Sequence, residues 1–196
     1  MRKLELFAIA SLLLVATAAN AGWQDRASRF DAQRLSRLDE SRAKGLNEAQ
    51  GAPAADLAVI RSVLDAQAVA ASPSALQGTW RCRTIKLGGI TPDIIYSWFN
   101  CRISPKGGAL AFEKLTGSQR SSGLLYPEGG GFVYLGASYV TGEKPNAYSG
   151  NGAEAGAAAT PDDQIGYLSL LADGRARIEF PYPLQESTFD VLELKR

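Results

Sequence analysis

Both cysteines of the chain fall within residues 78–103, from Gly-Thr-Trp-Arg-Cys-Arg to Trp-Phe-Asn-Cys-Arg-Ile, and no other stretch restricts the fold as much. Its hydrophobic pattern predicts two strands, 78–87 and 94–103, joined by the turn-forming Gly88, Gly89, Ile90, Thr91, Pro92 and Asp93. A turn centred between Thr91 and Pro92 sets Cys82 opposite Cys101. Opposed residues of an antiparallel pair stand ~4.5–5.5 Å apart, near disulfide reach. One face then carries Trp80, Cys82, Phe99, Cys101 and Ile103, the other Arg81, Arg83, Trp98, Asn100 and Arg102. The apolar face needs a core, so further strands must wrap over it. The same register opposes Arg81 and Arg102, and like charges so placed are unfavourable. Acids of the preceding helical region (Asp25, Asp31, Asp39) are expected to relieve them by docking over that outer face, covering Tyr96 and Trp98.

Residues 1–21 have the organisation of a cleaved export signal. Arg2 and Lys3 lead an apolar run from Leu6 to Ala18, and Ala19-Asn20-Ala21 forms an A-x-A cleavage site. The run is shorter than the ~20 residues of a spanning helix, so no transmembrane anchor is expected in the mature chain. A periplasmic or secreted setting in a Gram-negative bacterium predicts one structural disulfide. With two cysteines and no histidine the chain lacks a usual zinc ligand set, and a Ser-His-Asp or Cys-His nucleophile is excluded. No cofactor is expected. The net charge is +1, and with Arg2, Lys3 and Glu5 set aside acids and bases balance, so nucleic acid is not an expected partner.

After the signal, residues 22–75 read as a helical N-terminal segment. A charged helix across 23–50 has a narrow stripe of Trp23, Ala27, Phe30, Leu35, Leu38 and Leu46, interrupted at Gly45. A second helix, 54–68, presents Leu57, Ile60 and Leu64, widened by Val59 and Val63. From residue 76 the pattern turns to strands. Six more follow the cysteine pair, at 109–116, 119–126, 131–140, 164–172, 175–182 and 187–195. Asp173-Gly174 predicts a two-residue hairpin turn that sets Leu171, Ser169 and Tyr167 against Ala176, Ile178 and Phe180, with Arg177 and Glu179 outward. The Gly- and Ala-rich stretch 141–163 reads as a long flexible loop.

Eight short antiparallel strands joined by tight turns make the fold mainly β with N-terminal helices (α+β). An up-and-down barrel over 76–196 is expected, and a β-sandwich is the alternative. Gly78-Thr79-Trp80 resembles the Gly-x-Trp opening of lipocalin-like barrels. That resemblance implies a basic residue of the last strand beside the tryptophan, for which Lys195 and Arg196 are placed. Three further blocks, Trp80-Arg-Cys-Arg-Thr-Ile-Lys-Leu-Gly-Gly, Phe112-Glu-Lys-Leu-Thr-Gly-Ser-Gln-Arg and Phe189-Asp-Val-Leu-Glu-Leu, are similar to an exported proteobacterial family known as domain of unknown function 4893. The resemblance implies a periplasmic setting and brings no activity or site.

Function is therefore read from candidate side chains. A turn at Thr116-Gly117-Ser118 opposes Phe112 to Ser122 and Lys114 to Arg120. Leu110 and Phe112 should face inward and carry Lys114 and Arg120 into the barrel, with Gln119 on the other face. Two buried cations need an anion. Either an internal carboxylate (Glu186, Asp190 or Glu193) or a bound ligand supplies it, so Lys114, Arg120 and Trp80 are the candidate ligand contacts. The expected function is a non-enzymatic small-ligand binding barrel, since closed eight-stranded barrels can hold one small ligand. An envelope protein-interaction module with a solid core is the alternative. A hydrolase built on Glu113 with Glu186 or Asp190 is the third reading.

Overall fold

The computed structural model describes residues 22–150 and 160–196, and the expected export signal lies outside them. Eight strands close into an antiparallel barrel. In chain order these are β2 (Gly78–Leu87), β4 (Phe99–Lys106), β5 (Ala109–Lys114), β6 (Gln119–Glu128), β7 (Gly131–Val140), β8 (Asp163–Leu171), β9 (Ala176–Pro181) and β10 (Phe189–Lys195). Each pairs with the next, and β10 returns to β2, the up-and-down order expected of tight-turn hairpins. Two short strands are extra: β1 (Ala68–Val69) lies against β8, and β3 (Asp93–Ile95) against β2. Four helices, α1 (Arg29–Ser36), α2 (Leu38–Glu48), α3 (Ala54–Leu64) and α4 (Pro73–Leu76), precede or link the first strands.

Turn lengths correct three expected registers. Trp80 opposes Cys101 and Cys82 opposes Phe99, so the Cys82–Cys101 disulfide runs diagonally across the pair, with Cα atoms 5.9 Å apart. The cause is a turn nearer Gly88, whose N–H donates to the Pro92 carbonyl at 2.9 Å, followed by the inserted strand β3. The slip is two residues, which preserves the faces of a period-two strand. Arg81 consequently opposes Asn100, and Arg102 opposes Thr79. The arginines find their acids on neighbouring strands: Arg83 meets Glu193 at 2.7 Å and Arg102 meets Glu113 at 2.8 Å. The helical acids act elsewhere, with Asp31 pairing Arg34 and Asp39 pairing Arg42.

The other two slips are of one residue. In the β8–β9 hairpin Leu168 faces Ile178 and Leu170 faces Ala176. In the β5–β6 hairpin Phe112 faces Gly123 and Glu113 faces Ser122. Gly117 adopts φ +96, a left-handed conformation that glycine tolerates, and the connection is one residue longer than expected. The expected opposition of Lys114 and Arg120 is thereby lost.

The barrel interior divides into two levels. Trp80, Ile103, Leu110, Leu125, Phe132 and Leu194 fill one end with close-packed apolar side chains. The Trp80 indole donates to the Leu76 carbonyl at 2.8 Å, and the Arg196 guanidinium lies 4.3 Å from its ring. Midway, Tyr134 packs edge-on between Phe112 and Phe180. Gly123 and Gly136 make room for it, because a Cβ on either would collide with the tyrosine and with facing backbone. Outside, Ile60, Val63 and Leu64 of α3 build a second core with Ile85, Leu87, Phe189 and Val191. Charge is buried under these helices too. Glu179 accepts from Arg42 at 2.7 Å and Arg177 at 2.9 Å, so the two residues expected to point outward do so into the helical layer.

Candidate ligand-binding cavity

The second level of the lumen holds a cavity of about 330 Å³. It exists because the inward alternation turns polar over the last four residues of β2 and at the last residue of β5. On β2 the inward series Trp80, Cys82 continues as Thr84 and Lys86, and on β5 Leu110 and Phe112 continue as Lys114. Phe180 and Leu192 supply apolar wall, and Ser121, Ser138 and Gln164 supply polar wall. The mouth lies among the residues after β7 and before β10. The described arm of the 141–163 loop is fastened beside it. The Tyr148 hydroxyl donates to Asp31 at 2.5 Å and accepts from the Ser28 N–H at 2.9 Å, and Ser149 bonds Asp163.

Most charges around this cavity are paired. Lys86 Nζ meets Glu186 at 2.6 Å, and Arg34 pairs Asp31 at 2.5 Å while donating to the Tyr182 and Asp163 carbonyls. Lys114 differs. Its residue is 8% exposed, its ammonium lies 4.5 Å from the centre of the Phe99 ring, and no carboxylate among the described residues approaches it as an ion pair. Burial, and secondarily the charge of Lys86, hold its pKa below the ordinary lysine value. The ring contact compensates part of that desolvation, by roughly 0.5–2 kcal/mol.

Two further groups face the cavity incompletely satisfied. Asp190 accepts one hydrogen bond, from the Ser187 hydroxyl at 2.6 Å. Burial pushes its carboxyl up to about 6, against the Ser187 bond and the Lys86 charge, which favour the ionised form. Gln164 Oε1 is buried with no hydrogen-bond partner among the described residues. The buried Tyr134 hydroxyl lacks a partner of normal geometry, though Ser121 lies beside it and opposes the upward pressure of burial on its pKa.

The candidates from the sequence are thus partly brought together. Lys114 enters the lumen as its strand alternation requires. Arg120 reaches the mouth of the same cavity, its Nε donating to the Gly117 carbonyl at 3.3 Å. Gln119, expected on the other face, lines the cavity because of the one-residue slip. Trp80 sits in the filled end and lines no part of it. Of the three internal carboxylates, Asp190 is in the lumen, Glu186 is at the rim on Lys86, and Glu193 is outside the barrel between Arg83 and Arg175. Glu113 lies on the outer face with Arg102, so it forms no catalytic couple with Asp190. Lys86 and Gln164 were not among the candidates. Lys86 shares parity with Trp80 and Cys82 and was legible; Gln164 depended on the β8 register.

Among the described residues no three His, Cys, Asp or Glu side chains gather as a metal site, and no helix is long and apolar enough to cross a membrane. No curated protein and no solved structure matches the chain. A family model does, over residues 23–194, which takes in the helices, the disulfide hairpin and nearly all of the closing strand. The chain belongs to the family described as domain of unknown function 4893.

Proposed function

We propose that this protein is a non-enzymatic binding barrel for a small organic anion, working in the periplasm or outside the cell. The observation that carries the reading is Lys114, a buried residue at a polar level of the lumen whose ammonium has no ion-pair partner among the described residues. An ammonium removed from water without a counter-charge is costly, and a bound carboxylate would repay that cost with a charge-assisted hydrogen bond. Arg120 at the mouth adds a second positive group on the entry path. The Cys82–Cys101 disulfide supports the oxidising setting. The open lumen favours this reading over a solid-cored interaction module.

Thermal melting in the presence of short carboxylates and phosphate tests it. Wild type is expected to melt higher as anion is added, following mass action. Lys114→Met should lose that response while, without ligand, melting at or above wild type, because it removes an uncompensated charge. The gain is on the order of 1 kcal/mol or more. A Lys114→Met protein that is several kcal/mol less stable, with a wild type indifferent to every anion, would show instead that the lysine serves the fold.

A further inference from the structure

Resting on that reading of Lys114, the placement of the remaining unsatisfied groups narrows the ligand class. In the eight-strand ring β9 lies directly across from β5, and β8 and β10 flank β9. Lys114 therefore projects from one wall, while Asp190 and Gln164 project from the two strands that bracket Phe180 on the other. The first wall offers a donor with no carboxylate paired to it among the described residues. The facing wall offers an acceptor short of donors: among the described residues Asp190 accepts a hydrogen bond only from Ser187. Beside Asp190 on the facing wall lie the apolar side chains of Phe180, its cross-strand neighbour, and Leu192. We propose that the ligand is a short aminocarboxylate, with its carboxylate on Lys114, its ammonium on Asp190, and an aliphatic spacer against Phe180 and Leu192.

Size and charge agree with this class. The cavity of about 330 Å³ lies at the small end of the ~300–1,000 Å³ usual for small-molecule sites, enough for an amino-acid-sized molecule. Of the other charges lining the cavity, Arg120 stands at the mouth and several of the rest are already engaged. Lys86 is neutralised by Glu186, Arg34 by Asp31, and Asp162 and Asp163 accept from Ser138, Asn146 and Ser149. An ammonium brought to Asp190 meets a carboxyl whose ionisation it favours. A plain carboxylate leaves that wall as it was.

Isothermal titration of the oxidised protein at pH 7.5 decides the matter. The probes are straight-chain acids of three to six carbons, each with and without a terminal or α amino group. At one chain length the aminocarboxylate should bind about tenfold or more tightly than its amine-free analogue, the ratio expected of a charge-assisted hydrogen bond. Asp190→Asn should bring the ratio toward one while leaving the amine-free acid bound. Lys114→Met should abolish both. Equal binding of each pair by wild type overturns the aminocarboxylate while leaving the anion site intact. If wild type binds no acid of either kind, both readings fall. The wild-type ratio decides even if Asp190→Asn does not fold.

Discussion

An ammonium at Lys114 and a carboxyl at Asp190 share the lumen, and burial penalises the charged form of each, so one pKa moves down and the other up. The consequence for Asp190 can be read from pH. Folded and unfolded chains hold its proton equally below about pH 4. Between there and about 6 the folded state keeps the proton more tightly, so stability falls as pH rises, and above about 6 the whole penalty is present. Asp190→Asn should therefore gain stability relative to wild type between pH 4 and pH 7, by up to about 3 kcal/mol, in parallel urea melts. A difference between the two proteins that stays constant across that range would mean the carboxyl titrates normally.

At the scale of elements, the parity of strands was legible and the length of turns was not. Leu110 and Phe112 place Lys114 inside whatever turn follows, and Trp80 and Cys82 place Lys86 beside it by the same alternation. Arg120 and Gln119 follow a turn, and the extra residue around Gly117 exchanged their faces. Arg177 and Glu179 have outward parity, but α2 and α3 cover them, and sequence alternation carries no information on what lies above a strand. Arg177 there donates to the carbonyls of Val63, Leu64 and Ala66, completing the C-terminal end of α3. Arg177→Met should cost about 3–5 kcal/mol by leaving Glu179 and those carbonyls without it. Chemical denaturation measures the loss; a change below 1 kcal/mol would mean Arg42 alone suffices for Glu179.

The whole molecule is a barrel closed by β10 on β2, stapled by a disulfide between β2 and β4 and covered on its β9–β10–β2 side by helices. The eight strands and their meander order could be read from turn signals and alternation, because tight turns leave neighbouring strands little choice of partner. The cavity could not, since its depth depends on where side chains from eight walls stop meeting. Reducing Cys82–Cys101, which closes a loop of sequence separation 19, should remove about 3 kcal/mol and lower the melting temperature clearly. The helical cover buries Ile60, Val63 and Phe189 together with Glu179 and Glu193, so the chain without residues 22–70 should aggregate. A soluble, equally stable truncation would contradict that. The most direct test of the ligand account is an NMR titration of the Lys114 ammonium in isotopically labelled protein, with and without a short carboxylate. The account predicts a pKa below the ordinary lysine value of 10.5 in the free protein, rising when the carboxylate binds. A pKa at or above 10.5 in the free protein, unmoved by any carboxylate, would contradict it.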